Sequence, residues 1–410
     1  MNKHSTLNVL NTDCFQLIID ELGVRALCNL SLVNRRVREL VLPRLFYACR
    51  IYAGEPAEAP LVAMEHARML AYDGRNRRHV SLSLPELHSF PLVRKINFRG
   101  FQGGVPWLVI HDALTSGRIQ AVLFDSDSQI MEPDVAPGTL GLTPFTNGLT
   151  ELVYEVDEWR RHKTIRRMRR ESRDLMYRFE VEAEYLAAVV LGMSHSAESL
   201  SLPAQTAPLA LMAELTWPRL TRLHLTDEYG DSFDYSILSR LLGNLPALRD
   251  LSVVVAQSPA SAPRVRLLNA PMNGSSNLSS LVVSYPDPDD RIFDISLTQL
   301  RSLALRGYYQ LLHGQPVTRW TIPILFSAEC LYILSKQTMR QLQELKIVYA
   351  ASGPDDDALL RFLPSAFPNL RQLELHRYRA SSTILSPKSH RLPKRLSYRV
   401  LAEPRTRRWA

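Results

Sequence analysis

Apolar residues recur in two different rhythms along this chain. In residues 10–51 they return every three or four positions, and beyond residue 90 they fall in a short phrase, apolar-x-x-apolar-x-apolar. The first rhythm predicts helices and the second predicts strands. Phe15, Ile18, Ile19 and Leu22 make one helical face. Asn11, Thr12 or Asp13 can cap it, since their side-chain oxygens accept from orphan backbone N–H groups. Gly23 suits its end through a positive φ. Leu27, Leu30, Val33, Val37 and Leu40 continue the pattern as a second helical stretch, which Pro43 stops. A helical hairpin of about 40 residues cannot bury this much apolar face alone. Either it packs on the rest of the chain as a cap or a partner covers it.

The strand phrase occurs ten times. It reads Val93…Ile96…Phe98, Ile119…Val122…Phe124, Leu149…Leu152…Tyr154, Ala197…Leu200…Leu202 and Leu220…Leu223…Leu225. It continues as Leu248…Leu251…Val253, Leu278…Leu281…Val283, Leu300…Leu303…Leu305, Leu342…Leu345…Ile347 and Leu370…Leu373…Leu375. Successive starts lie 26, 30, 48, 23, 28, 30, 22, 42 and 28 residues apart. The last two apolar residues alternate, as a strand with one buried face requires. Phe90-Pro91, Trp217-Pro218, Leu245-Pro246 and Phe367-Pro368 precede four of the copies. Proline there ends a helix and opens an extended turn. Helical patterns at 236–245 and 357–367 lead into two of these turns.

The unit is therefore helix, turn and short strand. Most spacings are near the roughly 20–29-residue period of leucine-rich repeats, which the array resembles. That resemblance implies an irregular α/β solenoid, with parallel strands on the concave face and helices on the convex face. Regular repeats carry an Asn after the strand, whereas Thr226, Arg306 and His376 stand there here. The competing architecture is a doubly wound α/β domain. It predicts almost continuously apolar strands, whereas Asn97, Ser201, His224, Ser252, Lys346 and Glu374 interrupt these and predict one wet face.

The N-terminal segment resembles an F-box of the fungal type. The family pattern opens with Leu-Pro, runs through Ile-x-x-Leu, leaves four residues to a Leu, and then reads Leu-Ser-Leu-Val-Cys-Arg-Arg-Trp. Here Leu10-Asn11 stands first, followed by Ile19…Leu22, spacers 23–26 and Leu27. Leu30-Ser31-Leu32-Val33-Asn34-Arg35-Arg36-Val37 completes it. Asn11, Asn34 and Val37 are the departures. The resemblance implies docking to a Skp-type adaptor and, through it, to a cullin-based ubiquitin ligase. Leu10, Phe15, Ile18, Ile19, Leu22, Leu27, Leu30, Leu32 and Val33 would be the adaptor contacts or their packing support. The expected organisation is an F-box module at 7–51, a linking helical segment at 52–90 and a repeat array at 91–400. Insertions fall near 157–180 and 306–338, and a basic tail occupies 401–410.

Composition narrows the function. The chain has 410 residues, 46% of them hydrophobic and 22% charged, which suits a folded protein. Cys14, Cys28, Cys49 and Cys330 form no CxxC pair, the pattern of a reducing cytosol or nucleus. Residues 1–15 lack the apolar core of a secretory signal, and no stretch reaches the ~18 apolar residues of a membrane span. Residues 159–173 and 388–408 each carry eight Lys/Arg against one Glu. Removing their +7 apiece from the total of +8 leaves −6 elsewhere, so the basic character is local. With few aromatics among the arginines, single-strand nucleic-acid stacking has little support.

No phosphate loop, HExxH, metal-ligand spacing or GxSxG is present. His111-Asp112 has no nearby nucleophile, and the carboxylates at 355–357 read as a helix N-terminus. No catalytic residue, metal or cofactor is assigned. The expected activity is non-enzymatic: the N-terminal helices hold the adaptor and the solenoid holds a protein substrate. The alternative is a protein-binding scaffold outside any ligase, whose helices serve only as a cap.

Overall fold

The computed structural model describes residues 11–52, 61–74, 87–101, 104–125, 128, 130–131, 148–154, 179–204, 206–228, 235–256, 264–269, 277–306, 324–379 and 395–401. Leu10, the basic run 159–173, residues 307–323 of the second insertion, 388–394 and the tail 402–410 lie outside them. Two compact units divide the chain, residues 1–141 with 147–149 and residues 142–146 with 150–410.

The first unit begins with three helices, α1 (Thr12–Glu21), α2 (Val24–Ser31) and α3 (Arg35–Leu45). The single second stretch expected from Leu27 to Leu40 is thus two helices. Asn34 breaks it: its backbone is extended, and its Oδ1 accepts from the Val37 N–H at 2.8 Å. Apolar spacing runs unbroken through this cap, so periodicity alone does not register it. Pro43 does not stop the segment but lies inside α3. Gly23 does not close α1 with a positive φ either. It sits at φ −72° as the N-cap of α2, and Leu22 ends α1 in an extended conformation.

The chain then forms an open parallel sheet of β1 (Ala48–Tyr52), β2 (Met69–Asp73), β3 (Lys95–Arg99) and β5 (Ala121–Phe124), in that order. A short helix, α4 (Leu61–His66), precedes β2. The two-residue strands β4 (Val105–Pro106) and β6 (Ile130–Met131) pair separately, and α5 (Trp107–Thr115) follows β4. Residues 52–90, expected as a linking helical segment, therefore contain a strand of the sheet. Register explains why. Phe46…Cys49…Ile51 and Ala67…Leu70…Tyr72 repeat the strand phrase. They place Cys49, Leu70, Ile96 and Val122 in one row and Ile51, Tyr72, Phe98 and Phe124 in the next. Aromatic rings fill the second row: Phe98 stacks on Phe124 at 5.1 Å and meets Tyr72 edge-on at 6.2 Å.

In the second unit, β7 (Glu151–Tyr154), β8 (Ser199–Pro203), β9 (Arg222–Glu228), β10 (Asp250–Ala256), β11 (Ser280–Ser284), β12 (Ser302–Arg306), β14 (Glu344–Ala351) and β15 (Gln372–Arg379) pair in parallel, in chain order. The short β13 (Leu325–Phe326) adds to β14. A doubly wound sheet reverses its strand order at a switch point; neither unit does. The last strand, β16 (Arg395–Leu401), departs from the expected all-parallel array by pairing antiparallel to β15. Helices α6 (Phe179–Gly192), α7 (Leu209–Met212), α8 (Tyr235–Gly243), α9 (Ser327–Ser335) and α10 (Gly353–Ala366) precede β8, β9, β10, β14 and β15. No α-helix separates β10 from β11 or β11 from β12 among the described residues, so the repeats are unequal.

All ten phrases lie on strands. The middle residues of the eight in the second unit stand in one row, Leu152, Leu200, Leu223, Leu251, Leu281, Leu303, Leu345 and Leu373. All but Leu373 are buried, and each buried leucine contributes about 1.5–3 kcal/mol relative to an exposed one. The first residue of the phrase closes a turn. Val93, Leu220, Leu248 and Leu370 donate their N–H to the carbonyls of Phe90, Trp217, Leu245 and Phe367 at 3.2–3.4 Å. Proline is thus the second residue of each turn, where its fixed φ fits. Leu300 to Leu297 and Leu342 to Met339 make the same bond without proline. On the opposite face His224, Ser252, Lys346 and Glu374 are partly exposed, but Asn97 and Ser201 are buried, so the expected wet face is only partly wet.

Candidate protein-docking face on the N-terminal helices

The three N-terminal helices close a small core of their own. Asn11 caps α1 by accepting from the Asp13 N–H at 3.2 Å. Phe15 and Ile19, one turn apart, point the same way. They pack with Leu27 of α2 and with Val37 and Val41 of α3, and all five are buried. Leu22, Leu30, Leu40 and Leu45 pack around them, half-buried. Polar ties hold the helices together: Arg38 Nε donates to the Ser31 carbonyl at 3.0 Å, and Arg44 lies 3.8 Å from Asp20.

A second apolar set has no place in that core. Leu17 and Leu32 are 69% and 72% exposed, and Ile18, Val24 and Val33 are exposed with them. These are five of the thirteen large hydrophobic side chains exposed among the described residues, gathered within seventeen positions of a 410-residue chain. Scattered exposed hydrophobics are ordinary, whereas several on one small module make it a candidate interaction surface. On α1, Leu17 and Ile18 share an outer face with exposed Cys14, three and four residues before them.

The residues singled out from the sequence therefore separate into kinds. Phe15, Ile19 and Leu27 are core, and Leu22 and Leu30 support it. Ile18, Leu32 and Val33 face outward. Leu17 and Val24 were not singled out. Leu17 breaks no apolar spacing, being adjacent to Ile18. The signal for both is an apolar residue on the polar side of an otherwise amphipathic helix.

Elsewhere several charged groups are engaged with one another. On the partly wet face of the second unit, Glu374 accepts from Lys346 Nζ at 2.6 Å and lies 2.5 Å from His376 Nε2. Burial opposes its ionisation, but these two partners hold its carboxyl below the usual range. Tyr349 and Arg377 both donate to Asp356 in the first turn of α10. Burial raises the thiols of Cys49 and Cys330, which disfavours the reactive thiolate. Among the described residues no group of three or more His, Cys, Asp or Glu could hold a metal ion, and no helix is long and apolar enough to cross a membrane. Neither a protein-family model nor a curated protein matches the chain.

Proposed function

We propose that this chain is a substrate receptor of a Skp–cullin–F-box type ubiquitin ligase. Its three N-terminal helices are an F-box that docks a Skp-type adaptor, and its parallel strands are an irregular leucine-rich-repeat array that holds a protein substrate. One observation carries the reading: Leu17, Ile18, Val24, Leu32 and Val33 are exposed on a module whose own core is already complete. The in-register leucine row supports the repeat array. The chain does no chemistry in this reading; it raises the local concentration of substrate at the ligase. Binding of the full chain to a purified Skp-type adaptor tests it. Submicromolar affinity that vanishes when the exposed set is made polar supports the F-box, and absence of binding by the native chain removes it.

A second reading has its own observation. β1 begins three residues after α3, and the Tyr47 carbonyl accepts from both the Arg68 and Met69 N–H groups at 2.9 and 3.0 Å. The Tyr47 N–H in turn donates to the Arg44 carbonyl of α3 at 3.4 Å, so this residue ties the last helix to the start of β2, as a cap would be tied. A scaffold of this kind binds no adaptor and loses its first sheet when residues 11–45 are removed.

A further inference from the structure

Arg249, Ser279, Arg301, Gln343 and Arg371 each occupy the position immediately before a strand of the second unit. Their main chains form one rail. Ser279 N–H donates to the Arg249 carbonyl at 2.7 Å, and Arg301 to Ser279, Gln343 to Arg301 and Arg371 to Gln343 each at 2.8 Å. The rail fixes where each side chain starts, at a strand spacing of about 4.8 Å. Arg301 and Arg371 are therefore rooted about 10 Å apart, with Gln343 between them.

A cleft of about 210 Å³ opens here, lined by Arg301, Gln341, Gln343, Asn369 and Arg371. The lining holds two guanidiniums, three amides and no carboxylate. Among the described residues neither arginine is in an ion pair. Glu344, next in the chain after Gln343, accepts from Ser302 Oγ at 3.4 Å rather than from either guanidinium. Both arginines are exposed at the cleft mouth, so an arriving anion displaces only water.

The volume is below the roughly 300–1,000 Å³ of a drug-sized ligand site and suits one charged group. Guanidinium forks match the oxygens of phosphate and carboxylate, and they bind in pairs of parallel hydrogen bonds. Two such forks facing one opening balance a dianion, which a phosphate monoester is and a single carboxylate is not. We propose that this cleft binds a phosphate dianion, either free or as a monoester carried on a peptide. The proposal does not depend on the ligase reading.

Calorimetric titration of the full chain at low ionic strength tests it, with inorganic phosphate, a phosphoserine peptide and the same peptide unphosphorylated. Saturable binding is expected for at least one phosphate-bearing probe and not for the unphosphorylated peptide. Arg301→Gln and Arg371→Gln should each weaken it by about tenfold or more. Arg371→Lys, which keeps the charge and loses the fork, should fall between, and Arg361→Gln on α10 should match the native chain. Equal affinity for phosphate and phosphopeptide assigns the site to a free anion; binding of the phosphopeptide alone assigns it to a protein-borne group. No saturable heat with either probe, or undiminished binding in the folded double variant Arg301→Gln/Arg371→Gln, overturns the proposal.

Discussion

Asn34 Oδ1 accepts from the Val37 N–H at 2.8 Å, and this one bond separates α2 from α3. The family pattern that this segment resembles has a cysteine at the same place. Here the residue is a helix cap, which satisfies a backbone donor that would otherwise be orphaned at the start of α3. Replacing it should cost about 1 kcal/mol of stability in the helical module. Hydrogen exchange at the Val37 amide reports it directly: Asn34→Ala should exchange faster, and Asn34→Asp, which keeps an acceptor, should not. Equal rates in Asn34→Ala and the native chain would show that the cap holds nothing.

Ile18 and Ile19 are neighbours in sequence with opposite surroundings, the first exposed and the second fully buried. Ile19→Ala opens a cavity in the core and should destabilise the module by about 2–5 kcal/mol. Ile18→Asp and Leu32→Asp should change stability by less than about 0.5 kcal/mol, as surface substitutions usually do. If the module is an F-box, adaptor binding is lost in Ile18→Asp/Leu32→Asp with unfolding curves unchanged. Loss of binding only in variants that also unfold would point to a cap.

The strands were more legible than the helices, and register is the reason. A leucine repeated at one position of a stacked unit leaves the same mark wherever the unit occurs, so Leu200, Leu223, Leu251, Leu281 and Leu303 could be aligned without knowing the fold. β1 and β2 carry the same spacing, as Phe46…Cys49…Ile51 and Ala67…Leu70…Tyr72, but each has only one leucine or isoleucine among its three positions, so the leucine mark is weak there. The break at Asn34 was hidden because apolar residues continue through it at helical spacing. Asn97 and Ser201 are buried although the alternation predicts a wet face for them, because alternation tells which side a residue faces and not what covers that side. In the N-terminal helices, buried and exposed residues look alike in sequence, since Ile18 and Ile19 are both apolar residues on one helix.

The leucine row predicts a sharp contrast across the sheet. Leu281 is fully buried and aligned with Leu251 and Leu303, whereas Ser252 is partly exposed on the other face. Leu281→Ala should lower the unfolding free energy of the second unit by about 2–5 kcal/mol. Ser252→Ala should change it by less than about 0.5 kcal/mol. Urea unfolding followed by circular dichroism separates the two. Similar losses would mean that the register is shifted by one residue.

Gly74 follows β2, and its N–H donates to the Arg99 carbonyl at 2.8 Å. A Cβ there would stand 2.7 Å from Cδ1 of buried Phe101. Gly74→Ala should therefore destabilise the first unit by about 1–3 kcal/mol through overpacking. Phe101→Leu in the same chain should recover part of that loss. A double-mutant cycle gives the coupling, and strictly additive effects would place Phe101 away from Gly74.

Asp290 gives the chain a pH dependence of unusual sign. Its carboxylate is fully buried and accepts from the N–H groups of Leu267, Leu268 and Ile292 at 2.5, 3.0 and 2.9 Å. Burial outweighs those donors and pushes its pKa up to about 6. Unfolded, the carboxyl titrates near 3.9. Between those two values the folded chain holds a proton that the unfolded chain releases, so this group's contribution to stability falls as pH rises through the window. Most paired carboxylates act the other way. Asp294 has a pKa that burial raises but its partners Arg291 and Lys336 bring below normal, so its contribution is lost only under about pH 4. Acidification from pH 7 to pH 5 should therefore strengthen the native chain relative to Asp290→Asn, which carries no proton to exchange, by about 1 kcal/mol. Urea unfolding of both proteins at the two pH values measures that difference. A difference that stays constant, or shrinks on acidification, would mean that the three backbone donors outweigh burial and keep Asp290 ionised.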